Sequence, residues 1–175
     1  YRTFAADVDA LVSATAALES SEAATVDVAS DALAAARSAW EQAIGTWQEA
    51  ELFQIGPAGA AGQVAGGQGL RARIYSWPLT NPCRVDQEMV KGDLFDPTKL
   101  ALAPANVRGL AALEYLLYAP DDVNACPGSS SINGDGSWAA LTPEQVRQRR
   151  ARYAATVARD LQHAAVALRD AWEPG

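Results

Sequence analysis

Charged side chains that fall on the apolar stripe of a helix need a chemical reason to be there. Arg37 and Glu51 share the helical spacing of Trp40, Ile44 and Trp47, and Glu114 stands one turn from Leu110 and Leu117. A carboxylate facing a protein interior is costly unless a cation, a metal or hydrogen-bond donors meet it. Two arrangements would supply that. One is a structural ion pair of Arg37 with Glu51 or Glu114. The other is a polar ligand site at the end of a bundle, made by Arg37, Glu51, Asp86 and Glu114 with a glycine-rich stretch as its wall. Spacing alone leaves both open. Gly109, five residues before Glu114 and inside a helical pattern, costs about 1 kcal/mol relative to alanine there. It therefore marks either the close approach of another backbone or ligand, or simple helix packing.

Other chemistries are poorly supplied. The single histidine, His163, lies off the apolar stripe of its helix and reads as a solvated side chain. One histidine and two cysteines make no zinc set, so a metal would need hard oxygen ligands. No nucleophile triad, phosphate-cradling loop or zincin motif is present. A net charge of −7 argues against nucleic acid, whose phosphates are met by Lys and Arg. No run approaches the roughly 20 apolar residues of a membrane span.

The elements that must position these residues are helical. Phe4, Val8, Leu11, Val12, Thr15 and Leu18 mark a first amphipathic helix, and a second runs from about Asp27 to Phe53, stopping before Gly56-Pro57. From Gly56 to Pro104, glycines and prolines crowd the chain and predict no long regular element, with Arg71 to Trp77 an extended or helical-turn connection. A third helix is expected from near Ala105 through Tyr118. Asp121 to Leu141 reads as an ordered surface loop held by Cys126 and Trp138. Thr142, Pro143 and Gln145 form a capping signal for a final helix of about 30 residues, roughly 45 Å. The expected fold is all-α, a bundle of about four main helices with long ordered loops, and 175 residues suit a single domain, 1–175.

Cys83 and Cys126 both sit in proline-containing loops, where a disulfide would tie two connections. Such a bond would contribute on the order of 3–4 kcal/mol and point to an oxidising compartment. Two free thiols would leave the compartment open.

Several segments together resemble the imelysin family of bacterial periplasmic and outer-membrane-associated proteins. They are Ala36-Arg37-Ser38-Ala39-Trp40, Trp47 through Glu51 into Gly56-Pro57, Ile74-Tyr75-Ser76-Trp77-Pro78, and Cys83 through Glu88. Asn106-Val107-Arg108-Gly109-Leu110 on to Glu114-Tyr115-Leu116-Leu117 follows, and then the Arg152-Tyr153 helix. The resemblance implies a helical protein of two bundle-like halves, of which residues 1–175 correspond to the N-terminal one, ending in Trp172-Glu173-Pro174-Gly175. It also implies export to the periplasm or outer membrane of a Gram-negative bacterium, as a lipoprotein in some members. The family signature is Gly-x-His-x-x-Glu on a helix. Here Gly109 and Glu114 keep the frame, and Ala111 stands at the histidine.

That departure removes a metal ligand or acid/base group, leaving Glu114 as the one signature residue that could touch a metal. Three readings follow from the resemblance. The favoured one is a noncatalytic cell-envelope protein of iron uptake or ligand binding, whose partners are iron or a small ligand and a second imelysin-like half or partner chain. A metallopeptidase would need a replacement ligand from Asp86, Glu88 or the other half. A structural interaction module would use Arg37, Glu51 and Glu114 as an internal ion network.

Overall fold

The computed structural model describes residues 1–21 and 26–173. Among them are eight α-helices and no strand: α1 (Arg2–Ser21), α2 (Val26–Ala50), α3 (Leu70–Ile74), α4 (Pro82–Lys91), α5 (Pro97–Ala101), α6 (Gly109–Tyr118), α7 (Ser131–Gly134) and α8 (Pro143–Asp170). The all-helical expectation holds. Pro174 and Gly175 lie outside the described residues.

Each long helix buries the stripe its sequence draws. On α1 that stripe is Phe4, Val8, Leu11, Thr15 and Leu18, with the Thr15 hydroxyl satisfied inside the helix by the Leu11 carbonyl at 2.9 Å. Ala36, Ala43 and Trp47 are fully buried on α2, and the Trp47 ring packs on Phe4 with centroids 5.0 Å apart. α1 pairs with α2 and α8, while α6 fits between α2 and α8. These four helices make the bundle. α8 begins as its sequence predicts, with Thr142 and Gln145 exchanging a complete capping box around Pro143. Its alanines at 151, 154, 158 and 165 are buried and let neighbouring helices approach closely.

Beyond the second helix, which ends at Ala50 and not at Phe53, two stretches differ from the sequence reading. The segment Gly56 to Pro104 holds a regular helix of 10 residues, α4, where only connections were expected. Asn81 accepts from the Arg84 N–H as N-cap, Pro82 opens the first turn, and Gly92 at φ 77° closes the last. The third main helix starts at Gly109 and not near Ala105. Ala105–Val107 is a separate 3-10 turn, and Arg108 is fully extended before Gly109 turns the chain at φ 76°.

Gly109 is thus a helix-entry residue. A Cβ there would lie 2.7 Å from the carbonyl oxygens of both Arg73 and Ile74. Of the two close approaches the sequence allowed, a backbone is the one present. Gly109→Ala is expected to cost about 2–3 kcal/mol, combining a left-handed φ with a clash against backbone that cannot swing aside. Urea denaturation checks this, and a midpoint equal to wild type at the same slope would refute it.

Candidate functional site

The residues singled out by sequence do not converge on one pocket. Arg37 and Glu51 share a face of α2 but stand 14 positions apart, about 21 Å along the axis, so neither can reach the other's partners. Arg37 donates from Nε to the Leu117 carbonyl at 2.8 Å and lies over the Tyr118 ring, 4.9 Å from its centroid. Glu51, just past the end of α2, faces Arg71 at 3.6 Å. Glu114 is exposed on α6 and enters no salt bridge with a described residue. The expected pairing of Arg37 with Glu51 or Glu114, and the single interior pocket uniting them with Asp86, are corrected accordingly. Helical spacing assigns a face but is blind to height and to where a short helix ends.

Asp86 is buried, 1% exposed, and its surroundings are built for it. One turn into α4, it accepts from the Tyr115 hydroxyl at 2.6 Å and from the Ala125 N–H at 2.8 Å. Arg150 of α8, buried as well, lies 3.8 Å from its other oxygen. Arg150 also donates to the carbonyls of Ala119 at 2.7 Å, Pro120 at 2.6 Å and Val123 at 3.3 Å. Burial pushes the Asp86 carboxyl above the usual carboxylate range, against the lowering effect of Tyr115, Ala125 and Arg150. The same burial, reinforced by Asp86, pushes the Tyr115 phenol up. Cys83 and Cys126 are joined in a disulfide, as the sequence suggested. It flanks this cluster, since Cys83 precedes Asp86 on α4 and Cys126 follows Ala125. The segment 119–126 is thus fastened by one covalent and several polar ties.

A second buried cluster holds α3. Asp160 of α8 meets Arg73 at 3.2 Å and Arg108 at 3.8 Å. Arg108 donates to the carbonyls of Leu100 and Ala101, both at 2.9 Å, and burial lowers it from the ordinary guanidinium value. This fixes the α3 carbonyls that Gly109 meets.

The surface left between these anchors is a groove of 480 Å³. The signature positions Ala111 and Glu114 line it from α6 together with Tyr115 and Tyr118, and Trp77 and Pro78 line it from the connection after α3. Glu114 is its one charged lining residue among the described residues. Tyr115 belongs to both features: its ring walls the groove while its hydroxyl holds Asp86. Tyr118 donates to Glu41 at 2.9 Å, and its phenol is pushed up to about 12 by burial and then by Glu41.

Sequence reasoning missed Arg150, Tyr115, Trp77, Arg108 and Asp160. Arg150 had a signal, because it falls between Val146 and Tyr153 on the buried stripe of α8. Trp77 stands in one of the segments that carry the family resemblance, but its place at the groove depends on how the connection after α3 folds back.

Iron bound as a bare ion was an implication of the resemblance, and the donor set does not fit it. Ala111 offers a methyl group where an imidazole would sit, Glu114 brings one carboxylate, and among the described residues no three His, Cys, Asp or Glu side chains converge. Asp86 and Glu88, the replacement ligands considered, are buried and already committed, Asp86 as above and Glu88 to Arg84 at 2.6 Å.

The family model described as Imelysin matches residues 1–175 of the sequence. No curated protein and no solved structure matches it.

Proposed function

This chain belongs to the imelysin family, and from that premise we propose that it is a noncatalytic ligand-binding protein of the cell envelope, with the groove between Trp77 and Glu114 as its binding surface. One observation carries the reading. At the signature position nearest Glu114 the groove wall is the Ala111 methyl group, so the site offers shape, aromatic rings and one charge in place of a coordination sphere or an acid/base pair. An iron-acquisition role then requires that iron arrive within a larger ligand, or be held by groups beyond residues 1–175. Export to the periplasm or outer membrane of a Gram-negative cell agrees with the Cys83–Cys126 bond. No helix of the described residues is long and apolar enough to cross a membrane.

Calorimetry with ferrous and ferric iron, run beside a protein-cleavage assay with and without chelator, tests the proposal. No stoichiometric binding of the free ion and no chelator-sensitive cleavage are expected. Cleavage that chelator abolishes and Glu114→Ala removes would establish the peptidase reading instead.

A further inference from the structure

We infer that the Trp77–Glu114 groove takes an organic cation: an ammonium or guanidinium group carried on an apolar body. This rests on the proposed ligand-binding role and names the class of ligand. Three features of the groove lead there.

The first is charge. Glu114 is exposed, and among the described residues it is the one charged residue of the lining and forms no salt bridge. On the same side of the molecule Glu41 receives the Tyr118 hydroxyl and Glu51 faces Arg71. Burial pushes the Tyr75 phenol up, and Glu114 and Glu51 add to that against the lowering effect of Arg71. Arg71 answers Glu51, while Arg37 and Glu41 both meet neutral groups of the Leu117–Tyr118 stretch. Glu114 is the carboxylate of this set that lines the groove.

The second is the aromatic lining. Trp77 is 60% exposed and, with Tyr115 and Tyr118, presents a ring to the groove. The quadrupole of an aromatic ring attracts a cation on its face, most strongly for tryptophan. The fold already uses that attraction internally, with Arg37 4.9 Å from the Tyr118 centroid and Arg150 5.8 Å from that of Tyr115. Trp77 has no such cation among the described residues. A ligand cation between its ring and the Glu114 carboxylate would find a π face and a counter-ion together.

The third is what the groove lacks. Among the described residues no basic side chain lines it, so an anionic ligand would meet Glu114 as the charge in the wall and be repelled by it. The remaining lining is dominated by prolines, alanines and Thr80, which suits the apolar part of the ligand.

The test titrates the intact chain with arginine amide and with benzyltrimethylammonium, following the Trp77 indole by NMR after assignment with Trp77→Phe. Glucose and galacturonate oligomers serve as neutral and anionic probes. Both cations are expected to shift the Trp77 signal saturably. Glu114→Gln should weaken them about fivefold to tenfold, and Trp77→Ala, followed by calorimetry because the indole reporter is gone, should abolish binding. Both positions are exposed, and an unchanged circular dichroism melt confirms that the variants fold. If a neutral or anionic oligomer moves Trp77 and the cations do not, the inference is overturned while the groove remains a ligand site. If no probe moves it, the inference is overturned too. Neither result bears on the iron and cleavage assays, which judge the noncatalytic reading separately.

Discussion

Replacing Asp86 by alanine is expected to destabilise the protein by about 3–5 kcal/mol, the range for removing one partner of a buried charge pair. The substitution strips the acceptor from the Tyr115 hydroxyl and the Ala125 N–H and leaves Arg150, itself 3% exposed, with the part-exposed Asp121 at 3.4 Å as its remaining carboxylate. Urea or thermal denaturation measures the loss, and a change below about 1 kcal/mol, the size of an exposed pair, would refute the buried assignment. The same residue sets a pH dependence. Because burial raises its carboxyl above the ordinary value, the folded chain holds the proton to higher pH than the unfolded chain. Its contribution to stability is full below the ordinary carboxylate value and falls as pH rises through the raised one. Asp86→Asn should flatten that slope; a slope unaffected by the substitution would assign the dependence elsewhere.

Breaking the Cys83–Cys126 bond, by reductant or by a Cys-to-Ser pair, is expected to remove about 4 kcal/mol in the chain-entropy model, given a sequence separation of 43 residues. The bond and Asp86 secure the same stretch of chain, one at Cys126 and the other at Ala125. Their losses should therefore not add, and the combined variant is expected to fall short of the sum by more than about 0.5 kcal/mol. Denaturation with and without reductant, in wild type and in Asp86→Ala, reads both terms. Equal midpoints for wild type in the two conditions would mean that the bond does not stabilise the fold.

How much of this could be read from residues alone follows from the range of each interaction. The long helices were readable because 3.6-residue periodicity is local: Val8, Leu11, Thr15 and Leu18 announce their own burial, and Thr142 with Gln145 announces a helix start. α4 was readable in principle from Asn81, Pro82 and Gly92, but the density of glycine and proline around it argued for a loop. The site was readable only in fragments. Gly109, Ala111 and Glu114 were placed in frame by the family signature, and Asp86 was marked as notable. The partners of Asp86 come from α6, α8 and the segment after α6, and no spacing rule links positions 86, 115, 125 and 150. Arg37 and Glu51 failed for a related reason: a helical wheel projects away the axis along which they are separated. Glu114 failed at the solvent boundary, since α6 is short enough that one turn divides buried Leu110 and Leu117 from an exposed flank.

Most of the intervening structure leans on α8. Its Arg149 caps the carbonyls of Met89 and Val90, Arg150 those of Ala119, Pro120 and Val123, Tyr153 reaches Val107, and Asp160 restrains Arg73. Every one of those partners precedes it in the chain. A ribosome therefore delivers the keystone after the stones it locks, and until residues 143–170 have emerged the earlier segments lack the donors and acceptors that close them. Such an order of assembly leaves residues 1–142 without their closing contacts until α8 arrives, so these segments complete their packing together and not one by one.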